Sequence, residues 1–459
     1  MTVSDGKRKT EGGWEAPAGC ASTHPLNGPF SGCNFMFRVL RWIGIVLLAG
    51  ILLLIGSSCT MLGLNYASLD IDNKPGATPA IDVSALISDP AERERLKGLL
   101  QETLYGAWPE DLPVSFGDWR VIVPDYLEGR GTLEELDITI GAGDGARTFQ
   151  LVGAFPYGAV QAPVVIAQTF GSNCATFPEQ PVTSMDGDPC TVHDYGPILG
   201  FIVSAVFGEY IAEAPVGLYF DAGFAYASFH ASDFIPDDAD EAGPAIDGLG
   251  GDPNPGSTLM AWAYGFSAAI TALEADDRVG EGRMAVLGHS RHGKAALLAA
   301  AWDPRIDAVI AHQSGFAGAA LSRSPSGERL DRMVESYPHW LAPQAARYAA
   351  APDTLPFDQH HLLALIAPRP LFMGNARRDV WSDPNSSYRA AIAASEVWKA
   401  YGETGLKDDI THFDPAADIA FFLRPGGHSI VDDDIAAFLA FLSAHMGETG
   451  ELPNRMTAP

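Results

Sequence analysis

Short apolar runs alternate with segments of helical spacing from about residue 133 to residue 445. Residues 136–140 and 149–154 alternate as a hairpin-like strand pair does, and residues 163–169 form the continuous apolar run of a buried parallel strand. The same reading predicts strands at residues 216–220, 283–287, 306–312, 370–374 and 419–423, and helices at residues 91–104, 257–274, 295–302 and 432–445. Strands alternating with helices predict an α/β fold, a mostly parallel twisted sheet flanked by helices.

The pattern divides the chain into five segments. We predict a disordered N-terminal tail over residues 1–35, an apolar anchor or signal segment over 36–64, a linker and helical lead-in over 65–130, one α/β domain over 131–447 and a C-terminal tail over 448–459. Met36 is an alternative start of the protein. Residues 318–355 fit no strand–helix step, which predicts an insertion between the sixth-strand and seventh-strand regions.

The apolar segment suggests export. Residues 42–55 are wholly apolar, Arg38 and Arg41 precede them, and the run extends to residue 64, about the 20 residues that a bilayer span needs. A retained membrane anchor, a cleaved signal peptide and a lipoprotein with lipidated Cys59 all fit. In each case the body faces the periplasm or the cell exterior. Residues 197–211 are apolar nearly all round, which predicts a buried helix or a membrane-facing one.

The cysteines predict a disulfide, and the net charge excludes some classes of binding partner. Of the five cysteines, only Cys174 and Cys190 lie in the body of the chain. In an oxidising compartment we predict that these two form a disulfide. Two separate buried thiols are the alternative. Lys plus Arg is 29 and Asp plus Glu is 57, so the net charge is −28. That charge disfavours nucleic acid and basic-patch docking on anionic lipid. The histidines show no recognisable metal-site spacing, so no metal is expected.

The clearest unit is a strand, a turn and a helix around Ser290. The strand at residues 283–287 runs into Gly288-His289-Ser290-Arg291-His292-Gly293-Lys294, and a helix follows. Such a turn raises a serine hydroxyl above the sheet edge and aims helix N–H groups at an oxyanion. The generic elbow G-x-S-x-G does not fit, because position 292 is His and the glycine comes one residue later. The context therefore predicts a nucleophile more strongly than the motif does.

The longer string resembles the G-C-S-R-x-G-K signature of the glucuronoyl esterase family, serine esterases of the α/β-hydrolase fold. The resemblance extends from about residue 229 to residue 438 and includes the strings SFHASDF, HQSG, FDQHHLLALIAPRPL and RPGGHS. It looks closest to bacterial members. It implies an α/β-hydrolase that cleaves esters of 4-O-methyl-glucuronic acid, which link xylan to lignin alcohols, and it implies no cofactor.

Carried over position by position, the resemblance implies site residues. Ser290 corresponds to the nucleophile, His428 to the general base and Arg291 to the arginine that stabilises the oxyanion. Lys294 corresponds to a lysine that contacts sugar hydroxyls, and Trp381 to a tryptophan that packs on the sugar.

The acid of the triad departs from the family pattern. Fungal members carry a Glu in a Q-E-S-G-like string, whereas this chain has Gln313 in HQSG, and a neutral amide cannot stabilise an imidazolium by charge. Asp379 follows the strand at residues 370–374, and the order Ser290, Asp379, His428 is usual for the fold. Asp383 is the rival acid, and an exposed ion pair beside Arg377 and Arg378 is the structural alternative for Asp379.

These residues predict a serine ester hydrolase that works through an acyl-enzyme. The expected partner is a small or polysaccharide-linked ester, together with a membrane contacted through the N-terminal apolar segment. A carboxylesterase for other acyl or sugar esters is the competing enzyme. A catalytically silent, membrane-tethered carbohydrate-binding protein is the alternative outside enzymes, because position 313 lacks the acid.

Overall fold

A computed structural model describes residues 39–53, 78–183, 206–251, 256–407 and 409–447, together with residues 185 and 204. The chain divides into two compact units, Met1–Met61 and Leu62–Pro459. In the first unit the described residues form one helix, α1, over residues 39–53. The sheet and the candidate site belong to the second unit.

The second unit is built on a ten-stranded sheet. Its strands are β1 Val114–Phe116, β2 Arg120–Asp125, β3 Gly131–Ile140, β4 Arg147–Pro156, β5 Ala162–Thr169, β6 Ala225–His230, β7 Val279–His289, β8 Ala308–His312, β9 Leu371–Ala376 and β10 Ile419–Arg424. Their order is β1-β3-β4-β6-β5-β7-β8-β9-β10, and β2 pairs with β3. Strands β1 to β4 pair antiparallel, as does β4 with β6, whereas the pairs from β6 through β10 are parallel. The predicted α/β fold and the β3–β4 hairpin are confirmed.

Helices cover both faces of this sheet. They are α2 Val83–Ser88, α3 Pro90–Leu100, α4 Tyr126–Gly129, α5 Asn173–Thr176, α6 Val216–Asp221, α7 Ala242–Leu249, α8 Thr258–Leu273, α9 Arg291–Trp302, α10 Leu330–Ser336, α11 Gln359–Ala364, α12 Pro384–Tyr401 and α13 Asp432–Met446. Successive residues of β5 pack into different cores, Val164 and Ile166 into one, Val165 and Ala167 into the other. A strand buried on both faces needs this continuous apolar run, since its side chains alternate.

One predicted strand is wrong. Residues 216–220 form helix α6, and the strand lies downstream at β6. Val216, Tyr219 and Phe220 are the buried residues of α6, and their spacing of three and four places them on one helical face. Short apolar runs fit either element, so periodicity alone did not separate them.

The insertion, residues 318–355, follows β8 and precedes β9 as predicted, and it contributes α10 and short 3₁₀ turns but no strand. Within the described residues no helix has both the length and the apolarity to cross a membrane. The predicted membrane anchor therefore finds no support there, and residues 54–64 of its segment lie outside the described residues. So do both tails and most of the predicted helix at residues 197–211.

Candidate active site

Ser290 lies at a strained turn between β7 and α9. Its backbone has φ 55° and ψ −122°, a conformation that residues with a Cβ rarely adopt. The Ser290 N–H donates to the His312 carbonyl at the end of β8 (2.8 Å), and the Ser290 carbonyl accepts from the Lys294 N–H (3.1 Å). Within the described residues the Ser290 hydroxyl has no hydrogen-bond partner. The turn thus presents a half-buried hydroxyl at the start of a helix.

Two glycines allow the strand and the helix to approach this closely. A Cβ on Gly288 would lie 2.0 Å from the His292 carbonyl oxygen. A Cβ on Gly293 would lie 2.9 Å from the Gly288 carbonyl oxygen. The glycine displaced by one position from the generic motif is therefore needed for packing, and His292 is buried behind the turn.

Asp379 and His428 form a hydrogen-bonded pair at the site. They follow β9 and β10, and the carboxyl ends of neighbouring parallel strands meet at one edge of a sheet. His428 Nδ1 lies 2.7 Å from Asp379 Oδ2. Because a carboxylate only accepts, Nδ1–H is the donor, and neutral His428 then keeps a lone pair on Nε2. This is the tautomer that a general base requires.

The Asp379 carboxylate is buried and held ionised. Its residue is 4% exposed, which is incompatible with a surface ion pair. Burial opposes ionisation, but the hydrogen bond and charge of His428, together with Ser382, outweigh it and keep the pKa of Asp379 below its ordinary value. The Ser382 N–H donates to Asp379 Oδ1 (3.2 Å). Asp379 therefore has the surroundings that stabilise an imidazolium.

Asp383, the rival acid, has other partners. Its carboxylate caps α12 by accepting from the Ser386 N–H (3.0 Å), and it accepts from the Ser324 and Ser326 hydroxyls. The structure thus places Asp379, not Asp383, against His428.

The His428 ring also lies beside the ring of His289, with centroids 4.5 Å apart, and His289 directly precedes Ser290. Ser290, His428 and Asp379 therefore share one edge of the sheet.

Comparisons with known proteins point to ester hydrolases. A family model described as "Glucuronyl esterase, fungi" matches residues 206–402. A carbohydrate esterase from an unknown prokaryotic organism is 29% identical over 84% of this chain and 92% of its own length. A solved CE15 esterase from a marine bacterial metagenome, described as promiscuous, has a TM-score of 0.69 and 26% identity over 82% of this chain and all of its own. The glucuronoyl esterase from Solibacter usitatus has a TM-score of 0.67 and 27% identity over 81% of this chain and 98% of its own.

The chain is thus similar to glucuronoyl esterases over most of its length. It is a carboxylic ester hydrolase with the predicted α/β-hydrolase fold. The fungal relatives match a smaller part: the 4-O-methyl-glucuronoyl methylesterase 1 of Wolfiporia cocos is 31% identical over 40% of this chain and 45% of its own length.

Within the family fold, Arg291 lies between aromatic rings. Its guanidinium carbon is 5.5 Å from the Phe170 ring centroid and 5.0 Å from that of Trp340. Nη1 donates to Asp237, which also accepts from Trp340 Nε1 (2.7 Å) and His339 Nε2 (2.9 Å). Arg291 Nε is buried and has no hydrogen-bond partner among the described residues. Next to Ser290 in the sequence, this buried N–H is therefore a donor without an acceptor among the described residues.

Lys294 does not have the surroundings that the resemblance implies. It is 3% exposed, and its ammonium donates to the Ser314 carbonyl (2.8 Å), the Phe316 carbonyl (2.7 Å) and Glu328 Oε2 (2.6 Å). An ammonium has three hydrogens, so none is left for a sugar hydroxyl in this arrangement. Lys294 instead joins α9 to the insertion. Trp381 differs, because 51% of it is exposed, which leaves ring surface for a ligand.

The sequence did not single out several side chains at the site. Glu328 and Trp340 come from the insertion, where no motif marks them, and Asp237 stands in a run of similar acids. A buried chain behind His428 was also missed. His289 Nδ1 contacts His312 Nδ1 (2.8 Å), His312 Nε2 contacts Asp434 (3.1 Å), and Arg424 pairs with Asp434 (2.7 Å). Only contacts between distant segments reveal such groups.

Two further predictions concern cysteines and metals. Cys174 is disulfide-bonded. Cys190, its predicted partner, lies outside the described residues, so that pairing stays a prediction. In the part of the chain that the structure describes, no group of three or more His, Cys, Asp or Glu side chains could hold a metal ion.

Proposed function

We propose that this esterase hydrolyses esters of glucuronic acid through an acyl-enzyme on Ser290. The observation that carries the proposal is the 2.7 Å contact of His428 with buried Asp379, at the same sheet edge as the strained Ser290 turn. A serine hydroxyl, an imidazole and a tautomer-fixing carboxylate are the parts of a serine triad, and a strained strand-to-helix turn is where such a serine is presented.

The proposed mechanism assigns one task to each group. Ser290 Oγ attacks the ester carbonyl while His428 Nε2 takes its proton, and Asp379 stabilises the imidazolium that forms. The Arg291 Nε–H and the first N–H groups of α9 stabilise the oxyanion. His428 then returns the proton to the leaving alcohol. In the second half, water attacks the acyl-enzyme, with His428 again as base, and releases the acid.

The family supports an acidic sugar as the acyl group. Relatives of this chain are named 4-O-methyl-glucuronoyl methylesterases and glucuronoyl esterases. In this chain Trp381, two residues after Asp379, supplies exposed aromatic surface on which a sugar ring can pack. The alternative of a silent binding protein depended on the neutral residue at position 313, and Asp379 offers the carboxylate that Gln313 lacks.

Substrate and nucleophile can be tested together. The full chain is assayed on benzyl glucuronate, methyl 4-O-methyl-glucuronate, p-nitrophenyl acetate and acetylated xylan. We expect the highest kcat/KM on the glucuronate esters. Ser290→Ala should lower kcat by about 10⁴–10⁶-fold, as in other triads. Undiminished hydrolysis by Ser290→Ala, or no labelling of the wild type by a fluorophosphonate, would reject the mechanism.

Two aspartates four residues apart give a matched comparison for the acid. Asp379→Asn should lower kcat by about 10⁴-fold, because His428 loses its tautomer and its counter-charge. Asp383→Asn should keep most of the activity, since Asn also caps helices. The opposite ranking would place the acid at 383.

We also propose that the body of the protein is exported to the periplasm or the cell exterior. The disulfide at Cys174 supports an oxidising compartment, and the apolar segment after Arg38 and Arg41 supports an export signal. Peptide mapping without reduction should find Cys174 joined to Cys190, and a free thiol at Cys190 would contradict the pairing.

A further inference from the structure

Gln313 stands where fungal glucuronoyl esterases carry the acid of the triad. Its side chain is nevertheless among the most firmly held at the site. It is 1% exposed and has a φ of 48°, in the left-handed region that residues other than glycine rarely adopt. An uncommon backbone conformation persists where the surroundings determine it, and such positions cluster at functional sites.

The side-chain amide of Gln313 holds the loop on both sides of His428. Nε2 donates to the Gly427 carbonyl (3.1 Å), and Oε1 accepts from the Ser429 N–H (3.1 Å). One partner only accepts and the other only donates, so the amide orientation is determined. A carboxylate could keep the Ser429 bond but has no hydrogen for Gly427.

The backbone of Gln313 holds the turn that carries Asp379. Its N–H donates to the Gly374 carbonyl in β9 (2.8 Å), and its carbonyl accepts from the Ser382 hydroxyl (3.0 Å). Ser382 in turn donates its N–H to Asp379. Gln313 therefore touches both segments whose relative position determines the 2.7 Å contact between Asp379 and His428.

We infer that Gln313 is a positioning residue for the catalytic pair: it acts through the loop of His428 and the turn of Asp379, not through charge. This inference rests on the proposed function. It explains how position 313 serves the reaction with a neutral side chain. Misplacing a base by about 1 Å can cost about 100-fold in rate, so loosening the His428 loop, which the Gln313 side chain holds, should appear in kcat.

Gln313→Met tests the inference, because Met fills a similar volume without the two hydrogen bonds. We expect kcat on benzyl glucuronate to fall about 10–100-fold with KM changed less than about threefold, and Ser290 labelling by a fluorophosphonate to slow in parallel. Gln313→Glu is the second variant in case the Met variant does not fold. It keeps the Ser429 bond alone, so kcat should again fall while KM stays within about threefold.

Gln359→Met is the matched control. Gln359 is also fully buried, and its amide bonds Tyr105 (2.7 Å) and Ser322 (3.3 Å) away from the His428 loop. It should lower Tm about as much as Gln313→Met and leave kcat unchanged. The inference fails if Gln313→Met keeps the wild-type kcat, if the loss lies in KM, or if the control loses equal activity. A wild type without Ser290-dependent hydrolysis would instead refute the proposed function.

Discussion

The buried pair of Lys294 and Glu328 shows how single residues connect the site to the insertion. Both side chains are under 5% exposed, with Nζ and Oε2 2.6 Å apart. Burial lowers the pKa of the Lys294 ammonium, and the attraction of Glu328 opposes that shift. A buried ion pair adds little net stability over apolar residues, but removing one partner leaves an uncompensated charge. The pair therefore makes the position of the insertion dependent on the start of α9.

Glu328→Gln should destabilise the protein by about 3–5 kcal/mol in urea unfolding at pH 7, because Lys294 stays charged and buried. Glu335→Gln is the control, since Glu335 pairs with Arg332 on the surface at 3.3 Å. It should change the free energy of unfolding by less than about 1 kcal/mol. Equal effects of the two substitutions would contradict a special role for the buried pair.

At the scale of elements, the site is an edge where loops after β7, β9 and β10 meet. Ser290 ends one strand and starts α9, so its position depends on how closely these two elements pack. The contact of Gly288 with the His292 carbonyl sets that distance. Strand and helix are both buried, so neither has room to retreat.

Gly288→Ala should therefore destabilise the fold by about 1–3 kcal/mol or more and lower Ser290 labelling, since a Cβ would overlap backbone. Gly98→Ala is the control, because a Cβ there meets nothing within 4 Å and lies inside α3. It should raise the stability by about 0.5–1 kcal/mol. Thermal unfolding of both variants distinguishes a steric effect from a general effect of alanine. A Gly288→Ala variant as stable as wild type would contradict the argument.

The sequence alone was sufficient to predict those strands and helices whose residue pattern has a single physical interpretation. The run at β5 and the strand–turn–helix around Ser290 carry their own signals, because burial on both faces and close packing restrict the residue types. The run at residues 216–220 carried no such signal, and it proved to be α6. Its length of five residues fits one helical turn as well as a strand.

The site was predictable only where chain order and residue chemistry agreed. Asp379 follows a strand end, and that position favoured it over Asp383, although the capping role of Asp383 was visible only in the structure. The partners of Lys294 were not predictable, because Ser314, Phe316 and Glu328 reach it through tertiary folding. A motif fixes residue types along the chain, whereas hydrogen-bond partners depend on segments that fold against it.

At the scale of the whole molecule, a fall in pH lowers the stability first through buried histidines. Burial lowers the pKa of His289 and His292 well below 6.5, and nearby positive groups add to that shift. Below pH 6.5 the unfolded chain binds protons that these folded histidines do not. Their contribution to stability is therefore complete above pH 6.5 and is lost as the pH falls. The pKa values of Asp379 and Asp434 are also lowered in the folded protein, but their effect on stability is confined to pH values below about 3.8. They therefore do not contribute to the change just below pH 6.5.

His292→Gln should reduce the pH dependence of stability. Between pH 7.0 and 5.5 the free energy of unfolding of the wild type should fall, and the variant should fall by about 1 kcal/mol less, since one buried titrating group is gone. Gln can still donate to Gln168, the partner of His292 Nδ1 at 3.1 Å. Identical pH profiles for His292→Gln and wild type would exclude this assignment.

Asp237 joins Arg291, at the start of α9, to His339 and Trp340, which are neighbours in the insertion. When the insertion detaches on heating or in denaturant, Asp237 loses two of its partners and Arg291 loses an aromatic neighbour. We expect such a half-opened molecule to have lost hydrolysis, because Arg291 no longer has the neighbours that hold it next to Ser290.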